Sequence, residues 1–329
     1  MISSLQFFES SCTDPHWNLA IEEEFLNTVP VGTCILYLWQ NKNTVVIGRN
    51  QNPWVECRTQ LLEDEGGKLA RRLSGGGAVF HDLGNLNFTF IMREEDYDVD
   101  KQLSVISAAV RKLGVNATFS GRNDLLVDGK KFSGNAFYHS AGKAYHHGTI
   151  LIDADMEKLS RYLCPSPAKL QAKGVASVRS RVTNLKQFNP EITVAAMKQQ
   201  LLVSFEEVYG LSAMHISLTP TQSATISQRC TELGSWDWLY GSPLPFSFSC
   251  EDHFPWGTIQ LQLQVNKGVV TDSKVYTDAM DWSLAPNIES ALRCRIFHTA
   301  VLCQALSEIK SVPFEVIEDI CTLIKQQNI

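Results

Sequence analysis

Apolar residues recur along this chain with two periods, and the places where the period changes mark out its elements. Thr13 and Asp14 offer a helix cap, Pro15 suits a first helical turn, and Trp17, Ile21 and Phe25 then recur at four-residue intervals with Glu22, Glu23 and Glu24 between them. This predicts a surface helix with one buried stripe. Cys34–Trp39 and Thr44–Ile47 read as strands joined by the polar Gln40–Asn43, and a helix is predicted over about Val55–Glu65, closed by Gly66 and Gly67. Further strands are predicted at Leu69–Leu73, Ala78–His81 and Leu86–Met92, then a helix carrying Leu103, Ile106, Val110 and Leu113 that Gly114 stops. The connections are of hairpin length, which favours mixed or antiparallel pairing over a strictly parallel sheet.

Between about Gly210 and Cys250 the texture changes to polar stretches, Ser242-Pro243-Leu244-Pro245 and the tryptophans Trp236 and Trp238. A boundary is placed there, giving a large domain over 1–244 and a small one over 245–329. The second begins with an alternating strand, Ile259, Leu261, Leu263 and Val265 against Gln260, Gln262 and Gln264. A Lys267-Gly268 turn, a strand through Val275 and two helical stretches complete it. The fold class is α/β of the α+β kind, with mixed, largely antiparallel sheets, flanking helices and a small α/β accessory domain.

Composition removes several classes. The chain has 329 residues, 44% of them hydrophobic and 19% charged, enough for a large core and unlike a disordered segment. No apolar window is long enough for a membrane span, so no membrane partner is expected. Against 29 basic residues stand 35 acidic ones, a formal net charge of −6 that offers no general attraction to nucleic acid. The nine cysteines are scattered without a Cys-x-x-Cys pair, which points to a reducing compartment and no metal site. Met1 to Asp14 shows neither a secretory signal nor an Arg-rich transit pattern; a processed organellar protein reads the same way.

Chemistry enters at Arg71-Arg72-Leu73-Ser74-Gly75-Gly76-Gly77-Ala78-Val79-Phe80-His81-Asp82, between two predicted strands. Three consecutive glycines weaken an ordered strand by roughly 0.5–1 kcal/mol each relative to alanine, so close backbone approach to a ligand is the reading weighed against a flexible connector. Neither Walker nor Rossmann spacing is present. In the run Gly121-Arg122-Asn123-Asp124 to Ser133-Gly134-Asn135, Asp128-Gly129 predicts a two-residue hairpin turn. Pairing Leu126 with Lys131 then places Asp124, Leu126, Lys131 and Ser133 on one face. Lys131 on that face is either a fixed cation over a reacting centre or a solvated hairpin lysine. His146 and His147, adjacent on a predicted strand, point to opposite faces and suit the core or the surface better than a shared metal. The basic stretch from Lys173 to Asn184 reads as a loop over a ligand or a solvated connection.

Taken in order, Arg71–Asp82 with Gly84-Asn85, Gly121–Asp124, Lys131 with Ser133-Gly134, His147-Gly148-Thr149, and Lys173 with Ser177–Asn184 resemble the lipoate–protein ligase A family. The resemblance covers most of the first domain, and the Trp256-Gly257 region looks like the family's accessory domain; within the family it looks closest to the animal mitochondrial lipoyltransferase. It implies a biotin/lipoate-ligase-like large domain. Arg72, Ser74, Gly75, Gly76 and Gly77 would line the lipoyl and nucleotide pocket, Val79, Phe80 and Asn85 the adenine side, and Asn123 and Asp124 the phosphate and ribose. Gly148 and Thr149 would lie along the intermediate, Arg181 and Thr183 would belong to a loop closing over it, and Lys131 would be the catalytic lysine contacting carbonyl oxygen and phosphate.

The implied activity is transfer of a lipoyl group from lipoyl-AMP to a lysine of lipoyl domains, in 2-oxoacid dehydrogenase complexes and the glycine-cleavage H protein. Lipoyl-AMP is then a substrate, no cofactor is held permanently, and magnesium and ATP enter only if the chain is a full ligase. A monomer in the mitochondrial matrix is expected on the same ground. Tyr138 departs from the pattern, since bacterial ligases of the family commonly carry arginine there; loss of that charge favours a transferase over a ligase. Relay between lipoylated proteins, a thioester on Cys164, an adenylate-binding regulator and a DNA-binding biotin-ligase-like repressor are the competing readings, the last disfavoured by the acidic balance.

Overall fold

The computed structural model describes residues 1–120, 124–164, 182–240, 248–266 and 268–327. Its strands in chain order are β1 (Ser4–Glu9), β2 (Thr33–Trp39), β3 (Thr44–Ile47), β4 (Lys68–Arg71), β5 (Val79–His81), β6 (Asn85–Arg93), β7 (Thr118–Ser120), β8 (Asp124–Val127), β9 (Lys130–Ser140), β10 (Lys143–Leu151), β11 (Ala213–His215), β12 (Phe248–Phe254), β13 (Gly257–Asn266) and β14 (Val269–Thr277). Eight of them form the main sheet in the order β11-β1-β2-β6-β10-β9-β8-β7. Only β1 pairs in parallel, with β2 and β11; from β2 through β6, β10, β9 and β8 to β7 every pairing is antiparallel. A second sheet, β4-β3-β5, mixes one parallel and one antiparallel pairing. The expected mixed, largely antiparallel α/β architecture is what the chain adopts.

Each face of the main sheet has its own cover. The first helix, α1 (Pro15–Thr28), is capped by Asp14, whose side chain accepts from the amides of His16 and Trp17. It lays Ile21 and Phe25 against Tyr37, Trp39 and Tyr145. Glu22, expected on the polar side, is only 2% exposed. The helix expected over Val55–Glu65 is broken into α2 (Pro53–Glu56) and α3 (Thr59–Asp64), because Cys57 between them pairs as a β-bridge with Leu163. On the opposite face α4 (Val99–Lys112) packs Val105, Ile106, Ala109 and Val110 against Phe88, Phe90 and Ile150. The short α5 (Met156–Tyr162) sits over the small sheet, and α6 (Val194–Tyr209) joins α4 on the apolar face. Then α7 (Pro220–Leu233) lies beside α1, and α8 (Trp236–Leu239) ends this part.

The boundary expected near Leu244 falls outside the described residues. Beyond it, β12, β13 and β14 form an antiparallel sheet, and Ile259, Leu261 and Leu263 are fully buried, as their alternation predicts. Three helices follow among the described residues, α9 (Leu284–Leu292), α10 (Thr299–Ser307) and α11 (Phe314–Gln326), where two were expected. They close an apolar cluster of their own against that sheet.

His146 is buried in the main core, its ring nitrogens within hydrogen-bond distance of Gln102 Oε1 (2.9 Å) and Asn135 Oδ1 (2.8 Å). Burial pushes its pKa down to about 3 from the ordinary value near 6.5, so the folded ring is neutral. The unfolded chain therefore binds the extra proton first as pH falls below about 6.5, and stability must drop with acid down to about pH 3. Chemical denaturation at pH 7 and pH 5 is expected to show about 2 kcal/mol lost through this group. A His146→Gln variant should lose less over the same interval, and an unchanged pH slope would refute the assignment.

Candidate active site

The face of the main sheet under α1 is polar at one end, and a cavity of about 410 Å³ opens over it. The β8–β9 hairpin supplies its cation. Val127 pairs with Lys130 and Leu126 with Lys131, as the Asp128-Gly129 turn predicts, with both turn residues at positive φ. A register shift at Leu125/Leu126 then sets Ser133 opposite Leu125. Ser133 is therefore fully buried on the core side and does not share the Lys131 face, because the extra residue at the bulge reverses the alternation.

Lys131 Nζ lies 2.7 Å from Asp124 Oδ1, both side chains about a quarter exposed. Its long stem crosses Gly134, where a Cβ would meet Lys131 Cε and Nζ at 2.6 Å. Glycine at 134 is what lets the ammonium lie flat on the sheet. The strand carrying Lys131 is pinned from outside: Thr183 N donates to Lys131 O at 2.8 Å, and Val182 bridges Lys131 in parallel.

The triple-glycine segment between β4 and β5 is wrapped round a guanidinium. Arg72 is 6% exposed; its Nε donates to Ser74 Oγ (3.0 Å) and its Nη2 to the carbonyls of Gly75 (2.7 Å) and Gly77 (2.8 Å). Burial pulls its pKa to about 10, so it stays charged. Ser74 Oγ lies 2.8 Å from His147 Nε2, His147 Nδ1 lies 2.9 Å from Glu22 Oε2, and that oxygen also accepts from Thr89 Oγ1 at 2.7 Å. A buried polar chain thus ties the loop to α1 and two strands.

The C-terminal sheet reaches the same loop. Gly76, at φ +92°, donates its amide to Ala279 O at 2.9 Å, and a Cβ on Gly75 would stand 2.3 Å from that carbonyl. Asn50 Nδ2 donates to Trp282 O, and Thr277 N to Asn50 O. The β12–β13 hairpin then brings His253, Pro255 and Trp256 to the cavity, with Met280 beside them.

Of the residues singled out in the sequence, Lys131, Asp124, Arg72, Gly76, Gly77, Val79, Phe80, Gly148 and Thr149 meet at the cavity. Four do not line it. Ser74 is turned inward to His147, Gly75 faces the Ala279 carbonyl, Asn85 is buried donating to Asn87 Oδ1, and Thr183 Oγ1 donates to Gln187 Oε1. Asn123 and Arg181 lie outside the described residues, as does most of the Lys173–Asn184 stretch. His146 and His147 do point to opposite faces, and both are buried. Tyr138 stands away from the cavity wall, its ring 5.3 Å from that of Tyr145 and 5.1 Å from that of Trp282.

Sequence reasoning missed Trp39, His81, Asn87, Asn135 and His147 as cavity residues, and all the C-terminal ones. The alternation Asn85, Asn87, Thr89 against Leu86, Phe88, Phe90 was an available signal. Its polar side faces buried space in place of water, with Asn85, Asn87 and Thr89 all at most 1% exposed.

Residues 14–206 match the lipoyl protein ligase A/B catalytic domain, and residues 244–324 the bacterial lipoate protein ligase C-terminus. The chain is 42% identical over 296 residues to lipoate-protein ligase A of Psychrobacter cryohalolentis, covering 88% of this chain and 87% of the relative. It is 39% identical over 316 residues to lipoate-protein ligase A of Bdellovibrio bacteriovorus, covering 94% and 93%. Among solved structures, LipL1 of Plasmodium falciparum, in complex with lipoate, superposes with a TM-score of 0.86 at 26% identity, over 98% of this chain and 100% of that one. An archaeal bi-partite lipoate protein ligase from Thermoplasma acidophilum, described with its E2 lipoyl domain, gives 0.65 at 25% identity, over 75% and 100%. These curated relatives are bacterial, and the expected special likeness to the animal mitochondrial enzyme is not carried by them. With a cation fixed on a sheet beside a glycine loop and a family match spanning most of its length, the chain belongs to the lipoate–protein ligase family.

Proposed function

We propose that this protein joins lipoate to lysines of lipoyl domains in two steps in one cavity, making lipoyl-AMP from lipoate and ATP and then transferring the lipoyl group. The observation that carries this reading is Lys131, fixed by Asp124 and by the space over Gly134 at the wall shared with Gly76, Gly77 and Thr149. In the first step the lipoate carboxylate attacks the α-phosphorus of ATP and pyrophosphate leaves; magnesium enters as part of the ATP substrate. In the second the neutral amine of the acceptor lysine attacks the acyl carbon, the C–N bond forms, the nitrogen gives up one proton to water, and AMP departs with the electrons of the broken anhydride bond. Negative charge grows on the acyl oxygen and on the departing phosphate, and the Lys131 ammonium can serve both.

A transferase that uses only preformed lipoyl-AMP is the second reading, favoured by tyrosine at 138. The neighbourhood of Tyr138 weakens that argument. Arg49 lies within electrostatic reach of the Tyr138 phenol, with its guanidinium 4.1 Å from the centre of the Trp238 ring. A positive charge is therefore near position 138 without being on it. The names of the two bacterial relatives also support the ligase reading. By the same analogy, the E2 lipoyl domain described with the archaeal ligase supports lipoyl domains of 2-oxoacid dehydrogenases as acceptors.

Three outcomes are expected. Lys131→Ala should keep the fold, since a partly exposed ion pair contributes at most about 1 kcal/mol, while transfer to an acceptor domain falls roughly a hundred- to thousandfold. Near-normal transfer by the folded variant would remove Lys131 from the role. Gly134→Ala should also fold, because the clash is with the mobile end of Lys131, yet displacing the ammonium should slow transfer at least about tenfold. Finally, lipoate-dependent exchange of labelled pyrophosphate into ATP should be robust; its absence alongside normal use of synthetic lipoyl-AMP would favour the transferase.

A further inference from the structure

None of the nine cysteines enters the two steps above, yet two of them face each other across a helical hairpin. Helices α10 and α11 are joined by the short stretch 308–313 and share the C-terminal core through Leu302, Leu306, Ile317 and Ile320. Cys303 Sγ lies 3.7 Å from Cys321 O, and Cys321 Sγ lies 3.8 Å from Cys303 O. Each thiol thus rests on the backbone of the other cysteine, and both side chains are directed across the same gap. That is the approach a disulfide requires, with sulfurs bonded at about 2.05 Å and α-carbons within about 6.8 Å. The two differ in access, since Cys303 is half-buried and Cys321 is buried. Burial, and after it the Cys303 thiol, push the Cys321 pKa up to about 12, so Cys321 stays a neutral thiol and an incoming oxidant meets Cys303 first.

The same helix holds part of the cavity wall. Asp319 Oδ2 accepts from Trp256 Nε1 at 2.9 Å, and the Trp256 ring stacks on Phe254 with centres 5.3 Å apart and planes 10° from parallel. Trp256 lines the cavity together with His253 and Pro255 of the same β12–β13 hairpin. Two residues along a helix turn by about 200°, so Asp319 and Cys321 lie on opposite sides of α11. A pull on Cys321 toward α10 therefore draws Asp319 back from its tryptophan.

We propose that Cys303 and Cys321 are a modification site, a dithiol that a small disulfide such as oxidised glutathione converts into an intramolecular bond, loosening the Trp256 wall. Cys303 releases its proton to water and attacks one sulfur of the oxidant. That S–S bond breaks, one glutathione thiolate leaves and takes up a proton, and a mixed disulfide remains on Cys303. Cys321 then gives up its proton and attacks Cys303 Sγ, and the second glutathione leaves in the same way. The two cysteines lose two electrons and two protons, and one oxidised glutathione becomes two reduced ones. Bonding brings the sulfurs well inside contact distance, to about 2.05 Å, and the packed apolar cluster transmits the shift to Asp319.

The test incubates the full chain with oxidised glutathione at mildly alkaline pH, blocks the remaining thiols and identifies linked peptides by mass spectrometry. A peptide joining Cys303 to Cys321 is the expected product, and dithiothreitol should return both thiols. Its absence once the exposed Cys294 carries glutathione overturns the site. Function is read as kcat/KM for transfer from synthetic lipoyl-AMP to an acceptor lipoyl domain, a readout that rests on the lipoyl-transfer reading above, whereas the linked peptide does not. Oxidation should lower it reversibly, at least about threefold, in the wild-type chain and not in Cys303→Ser or Cys321→Ser. Cys303→Ser, a change at a half-buried position, carries the comparison if the other variant does not fold. An equal loss in the variants traces the effect to another thiol, such as Cys164 at the cavity, and overturns the coupling, as does unchanged wild-type activity with the bond formed. Failure of the reduced wild-type chain to use lipoyl-AMP overturns the functional reading and the coupling with it, while the linked peptide still decides the site.

Discussion

The guanidinium of Arg72 is the point around which this site is built. A chain turning through three glycines has no side chains with which to hold its own shape, and its carbonyls would otherwise face a buried space. Arg72 supplies the donors: it bonds the carbonyls of Gly75 and Gly77, and also reaches Val46 O at 3.3 Å. A buried cation needs this degree of saturation to be tolerated at all. Once the loop is folded inward on Arg72, the Gly76 amide is left facing outward, and there it finds Ala279 O. The same residue thus shapes one wall of the cavity and presents the surface on which the C-terminal sheet rests.

From that loop a second constraint runs into the sheet. Ser74 leads to His147, His147 to Glu22, and Glu22 to Thr89, whose Oγ1 accepts from Trp39 Nε1 at 3.1 Å. Glu22 comes from a helix whose sequence reads as amphipathic with its acids outside, yet its carboxylate is needed inside to complete this chain. The helix is held by both kinds of force: apolar contacts of Ile21 and Phe25, and charge-assisted bonds at Glu22. Such a network orders the wall beneath the ligand before any ligand arrives, which is the condition for electrostatic catalysis without reorganisation.

Much of this was legible in the residues. Apolar runs gave β2, β3 and β6 and alternation gave β13, each within a residue or two, and Asp128-Gly129 gave the hairpin and its first two pairs. What escaped notice escaped for physical reasons. The bulge that turns Ser133 inward has no local signal, because its cause is the core that Phe132 and Leu125 both fill. Cys57 breaks a helix because Leu163, more than a hundred residues away, pairs with it. Glu22 read as solvent-facing, and Asn87 and Thr89 drew no reading at all, because polar alternation usually means water and only the tertiary cover of α1 and the small sheet converts that face into a cavity wall. The contribution of His253, Trp256 and Met280 was equally invisible, since nothing in a separate segment states where it docks.

The order of residues across the sheet explains why this fold suits a substrate that is apolar at one end and anionic at the other. Reading along one face from β2 to β8, the strands present Trp39, Asn87, Thr149, Gly134 and Asp124, with Lys131 lying over the last two. Indole stands at one end of the row and an ion pair at the other, with an amide, a hydroxyl and bare backbone between them, so the row is aromatic at β2 and charged at β8. On the function proposed above, a mixed anhydride laid along this row would have its acyl tail over aromatic surface and its reacting centre at the cation without folding back on itself. The direction is set by strand pairing, which is rigid, and not by a loop. It follows that Gly134 matters as much as Lys131: the lysine provides the charge, and the missing Cβ determines where that charge can lie.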